Sequence, residues 1–96
     1  MAWYRTLLWI VLLAQGGASA RADTPAKRAL TIARHGVELA TEGRRTGDLE
    51  KFAAAIARFK EAFAIDPNPE YECSIGIAYL DSKRLPEAHL FLGRCV

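Results

Sequence analysis

The chain has 96 residues, 51% of them hydrophobic, with 13 Lys+Arg against 11 Asp+Glu. That length allows one small domain at most, and the apolar fraction excludes a disordered polar chain. The balance of charge excludes a nucleic-acid binder driven by phosphate neutralisation, which needs a basic excess.

The first 22 residues read as a signal peptide. Arg5 and the free amine supply a short positive region, Leu7–Ala14 forms an apolar core, and Gln15, Gly16 and Gly17 break the helix. Ala18-Ser19-Ala20 and Ala20-Arg21-Ala22 are both small-x-small cleavage sites, so cleavage after Ala20 or after Ala22 fits. The apolar core is shorter than the roughly 20 residues needed to span a bilayer, so no integral membrane segment is expected after cleavage. The mature chain, 23–96, is expected to be periplasmic or extracellular. Loss of Arg5 and Arg21 reduces Lys+Arg from 13 to 11, which equals the 11 Asp+Glu, all in the mature part.

The mature part reads as all-α, two antiparallel helix hairpins in sequence. Thr24 caps a first helix and Pro25 occupies its first position. Leu30, Ala33, Val37 and Ala40 form one stripe on it, and Ile32, Gly36 and Leu39 a second. Gly43 and Thr46-Gly47-Asp48 mark a turn, with Asp48 capping the next helix. Phe52, Ala55, Ile56, Phe59, Ala62 and Phe63 follow a helical period. Asp66-Pro67-Asn68-Pro69 ends that helix and starts another, with Asn68 as cap. Tyr71, Ile75, Tyr79 and Leu80 give a third stripe. Lys83-Arg84-Leu85 turns into a last helix opened by Pro86, with Ala88, Phe91, Leu92 and Cys95 as its apolar positions. Short links make consecutive helices antiparallel neighbours.

Unit one, about 26–66, and unit two, about 68–96, form an imperfect internal repeat. Gly36 and Leu39, then Ala55, Phe59, Ala62 and Pro67 in the first unit, correspond to Gly76 and Tyr79, then Ala88, Leu92 and Cys95 in the second. The run 64–69 links the units. This pattern resembles the tetratricopeptide repeat (TPR) family, of the kind found in exported bacterial proteins. Two departures stand out. The first unit carries about seven extra residues between Gly36 and Ala55, about one turn on each helix, and the second unit reaches Val96 before its proline.

The resemblance implies an α-solenoid that binds a protein or peptide in a groove lined by the first helix of each unit. It implies an adaptor with no catalytic activity and no cofactor. By analogy, Leu30, Ala33, Arg34, Val37 and Thr41 would face that groove, together with Cys73, Ser74, Ile77 and Asp81. Cys73 and Cys95 lie equidistant from Arg84, so in an antiparallel hairpin they share one level. Export would then favour a disulfide between them, closing a loop worth roughly 3 kcal/mol. Two buried free thiols are the alternative. His35 and His89 lack metal-ligand spacing with the cysteines or each other. Ser74 and Ser82 sit in no nucleophile-elbow turn, and Glu70 and Glu72 diverge around their helix. Arg44-Arg45 and Lys83-Arg84 read as solvated turn residues.

The last helix is apolar on more than one face. Leu90, Phe91, Leu92 and Val96 are therefore expected to form an exposed interface, used for self-association or for a partner. The rival expectations are a structural subunit that assembles through this helix, or a shortened form of a longer repeat scaffold.

Overall fold

The computed structural model describes residues 23–96. The expected signal peptide and its two cleavage sites lie outside the described residues. Four helices follow one another: α1 Pro25–Thr46, α2 Leu49–Ile65, α3 Pro69–Asp81 and α4 Leu85–Arg94. Among the described residues there is no strand.

Local chemistry sets the helix boundaries. Thr24 Oγ1 accepts a hydrogen bond from the Lys27 N–H at 3.2 Å, and Pro25 follows at a position that needs no N–H donor. Asp48 and Asn68 cap α2 and α3 through the N–H groups of Glu50 and Glu70, each at 3.0 Å. Gly47 ends α1 in the left-handed region, φ 75°, and its N–H closes on the Gly43 carbonyl. Lys83 takes the same region at φ 66° between α3 and α4, where a side chain costs about 1 kcal/mol. Arg84 precedes α4 without a side-chain cap.

α1 pairs with α2, and α3 with α4; α3 lies chiefly on α2, with a narrow contact to α1. One level rule governs both hairpins. Gly36 stands eleven residues before Gly47, and Phe59 eleven after Asp48. A Cβ on Gly36 would lie 2.8 Å from Phe59 Cε1. In the second hairpin Gly76 and Leu92 are each eight residues from Arg84, and a Cβ on Gly76 would lie 2.7 Å from Leu92 Cγ. Each hairpin is thus closed by a glycine that admits a large side chain from the opposite helix.

This close approach corrects several stripe assignments. The buried face of α1 is Ala29, Ala33, Gly36, Ala40 and Gly43. Leu30 and Val37 are 45% and 51% exposed. They stand one residue, about 100°, around the helix from Ala29 and Gly36, because only small residues fit where α2 presses in. Gly43 is no turn residue: it lies inside α1 against the Phe52 ring, and the turn falls at Gly47. On α3, Tyr71, Ile75 and Tyr79 are buried as expected, but Leu80 is 46% exposed. Phe52, Ala55, Ile56, Phe59 and Ala62 of α2 are all buried, with Phe63 packed at the edge of the core.

Two predictions follow from this packing. Gly76→Ala places a Cβ against both the Leu92 side chain and its backbone nitrogen and should destabilise by about 1–3 kcal/mol. Gly93→Ala, at a helical site with open space, should stabilise by about 0.5–1 kcal/mol. Urea unfolding of both variants should show opposite signs. Burial, then repulsion from Asp66 and Glu70, raises the Tyr71 hydroxyl above its ordinary pKa of 10.0. A raised value in the fold means that stability is intact below about pH 10 and lost as pH rises through the folded value. Unfolding followed from about pH 8 to 11 should show that loss, and Tyr71→Phe should flatten it.

Candidate functional site

α1 and α3 run side by side across α2 and leave a shallow groove of about 190 Å³ between them. Val37, Ala40 and Arg44 border it from α1, Ser74, Ile77 and Ala78 from α3, and Phe59 from α2. Val37 and Ile77 are 51% and 47% exposed, so two branched side chains face solvent across it. Ser74 Oγ donates to the Glu70 carbonyl within its own helix.

One end of the groove is closed by charge. Arg44 Nη1 lies 3.1 Å from Asp81 Oδ2, and Arg44 Nη2 donates to Thr41 Oγ1 at 3.4 Å. The Thr41 hydroxyl donates in turn to the Val37 carbonyl at 2.8 Å. Both ionic side chains are partly exposed, so the pair contributes at most about 1 kcal/mol; its effect is to tie the two helices at one level. Arg44 is therefore no free turn residue. It continues the helical stripe from Val37 through Thr41, a spacing that the sequence already contains.

Of the residues expected to face the groove, Val37, Ser74 and Ile77 come together there. Thr41 and Asp81 join them through Arg44. Leu30 and Arg34 are exposed on α1 but do not border the concavity. Ala33 faces α2 instead and is buried. Ala40 and Phe59, read from the sequence as apolar stripe positions, and Ala78, which the sequence did not single out, also line it. Small residues look alike in a sequence whether they are covered or form the floor of a concavity.

A larger concavity, about 300 Å³, lies where the start of α2 meets the α3–α4 turn, bounded by Leu49, Glu50, Ala53, Ile56, Ser82 and Arg84. Two of its polar groups are already engaged: Ser82 Oγ donates to the Ala78 and Tyr79 carbonyls, and Arg84 pairs with Glu87.

Cys73 and Cys95 form a disulfide, with Cα atoms 5.2 Å apart. Each lies eleven residues from Arg84, the same level rule that places Gly76 against Leu92. The corresponding positions of the first hairpin, three residues outside Gly36 and Phe59, are Ala33 and Ala62, both buried. The cross-link thus occupies a level where the helices approach closely enough to require small side chains. Cys73 belongs to the α3–α4 contact rather than to the groove.

The side chains expected at an exposed end divide. Leu92 is half-buried against Gly76. Phe91 is half-buried and packs on Tyr79 with ring centroids 5.6 Å apart. Leu90 is 50% exposed and Val96 fully so. Hence Leu92, and most of Phe91, are occupied in closing the second hairpin. His35 and His89 are exposed. Among the described residues no group of three or more His, Cys, Asp or Glu gathers as metal ligands. No described helix is long and apolar enough to cross a membrane.

Comparison of the chain with protein-family models, curated proteins and solved structures gives no match.

α4 buries only Ala88 fully among its ten residues, so the disulfide carries much of its attachment. Reduction, or the Cys73→Ser/Cys95→Ser double variant, should lower unfolding free energy by about 3 kcal/mol. Amide exchange should rise first in α4, while α1 and α2 stay protected. Equal unfolding midpoints with and without reductant would contradict this.

Proposed function

We propose that this chain is an exported, tetratricopeptide-type interaction module, without catalytic activity, that binds a segment of a protein partner in the groove between α1 and α3. The recurrence of one contact in both hairpins carries this reading. Gly36 against Phe59 and Gly76 against Leu92 occupy corresponding positions, and the intervening helix pair differs by seven residues. A chain that repeats a hairpin and lays the second on the first is built as a stack. Stacks present the first helix of each unit side by side, and here those helices border a concavity with exposed Val37 and Ile77.

Export is supported by the amino-terminal composition and is compatible with the disulfide, which forms in oxidising compartments. An apolar segment suits the groove, because its one ion pair is internally matched. A second reading, self-assembly through α4, is favoured by the exposure of Leu90 and Val96.

Photo-crosslinking side chains introduced at Val37, Ile77 and Leu90 of the full chain, expressed in its own cells, separate the two. A control at Ala57, exposed on α2, reports random capture. The groove reading expects one heterologous adduct from Val37 and Ile77 and none from Ala57. Adducts of twice the chain mass from Leu90 alone would favour self-assembly. Labelling at Val37 and Ile77 no stronger than at Ala57 would sink the groove reading.

A further inference from the structure

A second surface, sharing no residue with the groove, lies where α2 meets the α3–α4 hairpin. Three cations converge there on two aromatic rings. Lys60 Nζ, from α2, is 5.6 Å from the ring centroids of both Tyr79 and Phe91. The Arg94 guanidinium is 5.3 Å from the Phe91 centroid, and that of Arg84 is 5.6 Å from the Tyr79 centroid. Each placement gains cation–π attraction. That attraction uses the charges but leaves most of the N–H donors free.

The donor inventory is unbalanced. Lys60 donates one hydrogen bond, to Tyr79 Oη at 3.1 Å. Because the hydroxyl accepts that bond, its own proton remains available to a further acceptor. Lys60 retains two N–H donors, and Arg94 has up to five. Only Arg84 is matched, by Glu87 at 3.2 Å. Elsewhere Arg44, Arg45, Lys51 and Arg58 each meet a carboxylate, and among the described residues Lys27, Arg28, Arg34 and Lys83 do not, so it is their placement against the rings that sets Lys60 and Arg94 apart. Lys60 and Arg94 meet none among the described residues, and residues 1–22 contain no Asp or Glu to supply one.

Unmatched donors held against two adjoining rings suit an incoming carboxylate. Lys60 Nζ, exposed and 3.1 Å from the Tyr79 hydroxyl, would meet the carboxylate first, and the otherwise buried Tyr79 would reach it only through that hydroxyl. Arg94 adds charge on the other ring. Leu90 shares the Glu87–Phe91–Arg94 face of α4 by helical spacing and is half exposed, so an apolar side chain beside the carboxylate also finds a partner. A polyphosphate would need a longer basic track, whereas residues 23–96 are balanced in charge.

We propose that Lys60, Tyr79 and Arg94 form a carboxylate-binding site that takes an aspartate or glutamate from an acidic, partly apolar segment of a protein partner. It is independent of what occupies the α1–α3 groove.

The test uses the oxidised full chain and a fluorescein-labelled peptide of alternating glutamate and leucine, with its glutamine counterpart. Saturable binding is expected, tightest at low salt and weakened about tenfold by each of Lys60→Gln, Arg94→Gln and the glutamine peptide. Tyr79→Phe keeps the ring, and it should weaken binding while leaving the circular dichroism melt intact. Should that variant fail to fold, the two charge variants decide. Lys27→Gln, an exposed cation on α1, should bind as the parent does. The proposal is overturned if the peptide does not bind at millimolar concentration, or if Lys60→Gln and Arg94→Gln bind unchanged. It is also overturned if Lys27→Gln weakens binding equally. Capture of vesicles containing phosphatidylglycerol, without peptide binding, would assign the surface to lipid instead.

Discussion

The close approach of paired helices, made possible by Gly36 facing Phe59 and Gly76 facing Leu92, is the constraint on which the rest of the molecule depends. A glycine removes the one atom that would hold the opposite side chain away. The large residue then fills the space, and the helices settle at a separation that only alanine, glycine or cysteine tolerates at neighbouring levels. Ala33 and Ala62 occupy such a level in the first hairpin, Cys73 and Cys95 in the second. The disulfide is a consequence of this geometry as much as a support for it. Two cysteines can be joined at that level because the helices are already near.

The same constraint decides what the surface offers. With small residues reserved for the α1–α2 contact, the branched side chains of α1 are displaced outward. Leu30 and Val37 stand in solvent, and Ile77 does the same on α3. Where α1 and α3 lie side by side, Val37 and Ile77 become the borders of a concavity, and Arg44 with Asp81 closes one end. An ion pair so exposed adds little to stability. Its contribution is positional, since it relates two helices that otherwise touch only narrowly.

The second hairpin is the weaker of the two. α4 is ten residues long with one fully buried side chain, and it enters from a turn with Lys83 in the left-handed region. Its attachment comes from three different sources: the Cys73–Cys95 bond, the Gly76–Leu92 contact, and the tilted ring contact of Phe91 with Tyr79. Lys60 links this arrangement back to α2 through the Tyr79 hydroxyl. The side chains that hold α4 in place therefore also compose the donor-rich face.

The sequence by itself determined the helices, their caps, their order and the level at which the two cysteines meet. Those properties depend on local spacing: a capping oxygen, a proline at a first turn, a fixed count from a turn. Which face of α1 is buried was beyond it. Hydrophobicity ranks Leu30 and Val37 above Ala29 and Gly36, whereas the interface selected by size. Gly43 misled in the same way, because a glycine at a close approach and a glycine at a turn are identical in one dimension. Three of the seven residues that line the groove were legible, Val37, Ser74 and Ile77, by following first-helix positions. The Arg44–Asp81 pairing and the Lys60–Tyr79–Phe91–Arg94 cluster were decided by tertiary structure alone. They join side chains 37, 19 and 12 positions apart whose proximity depends on how one helix lies across another. No local pattern encodes that relation, since it arises from the summed packing of both hairpins.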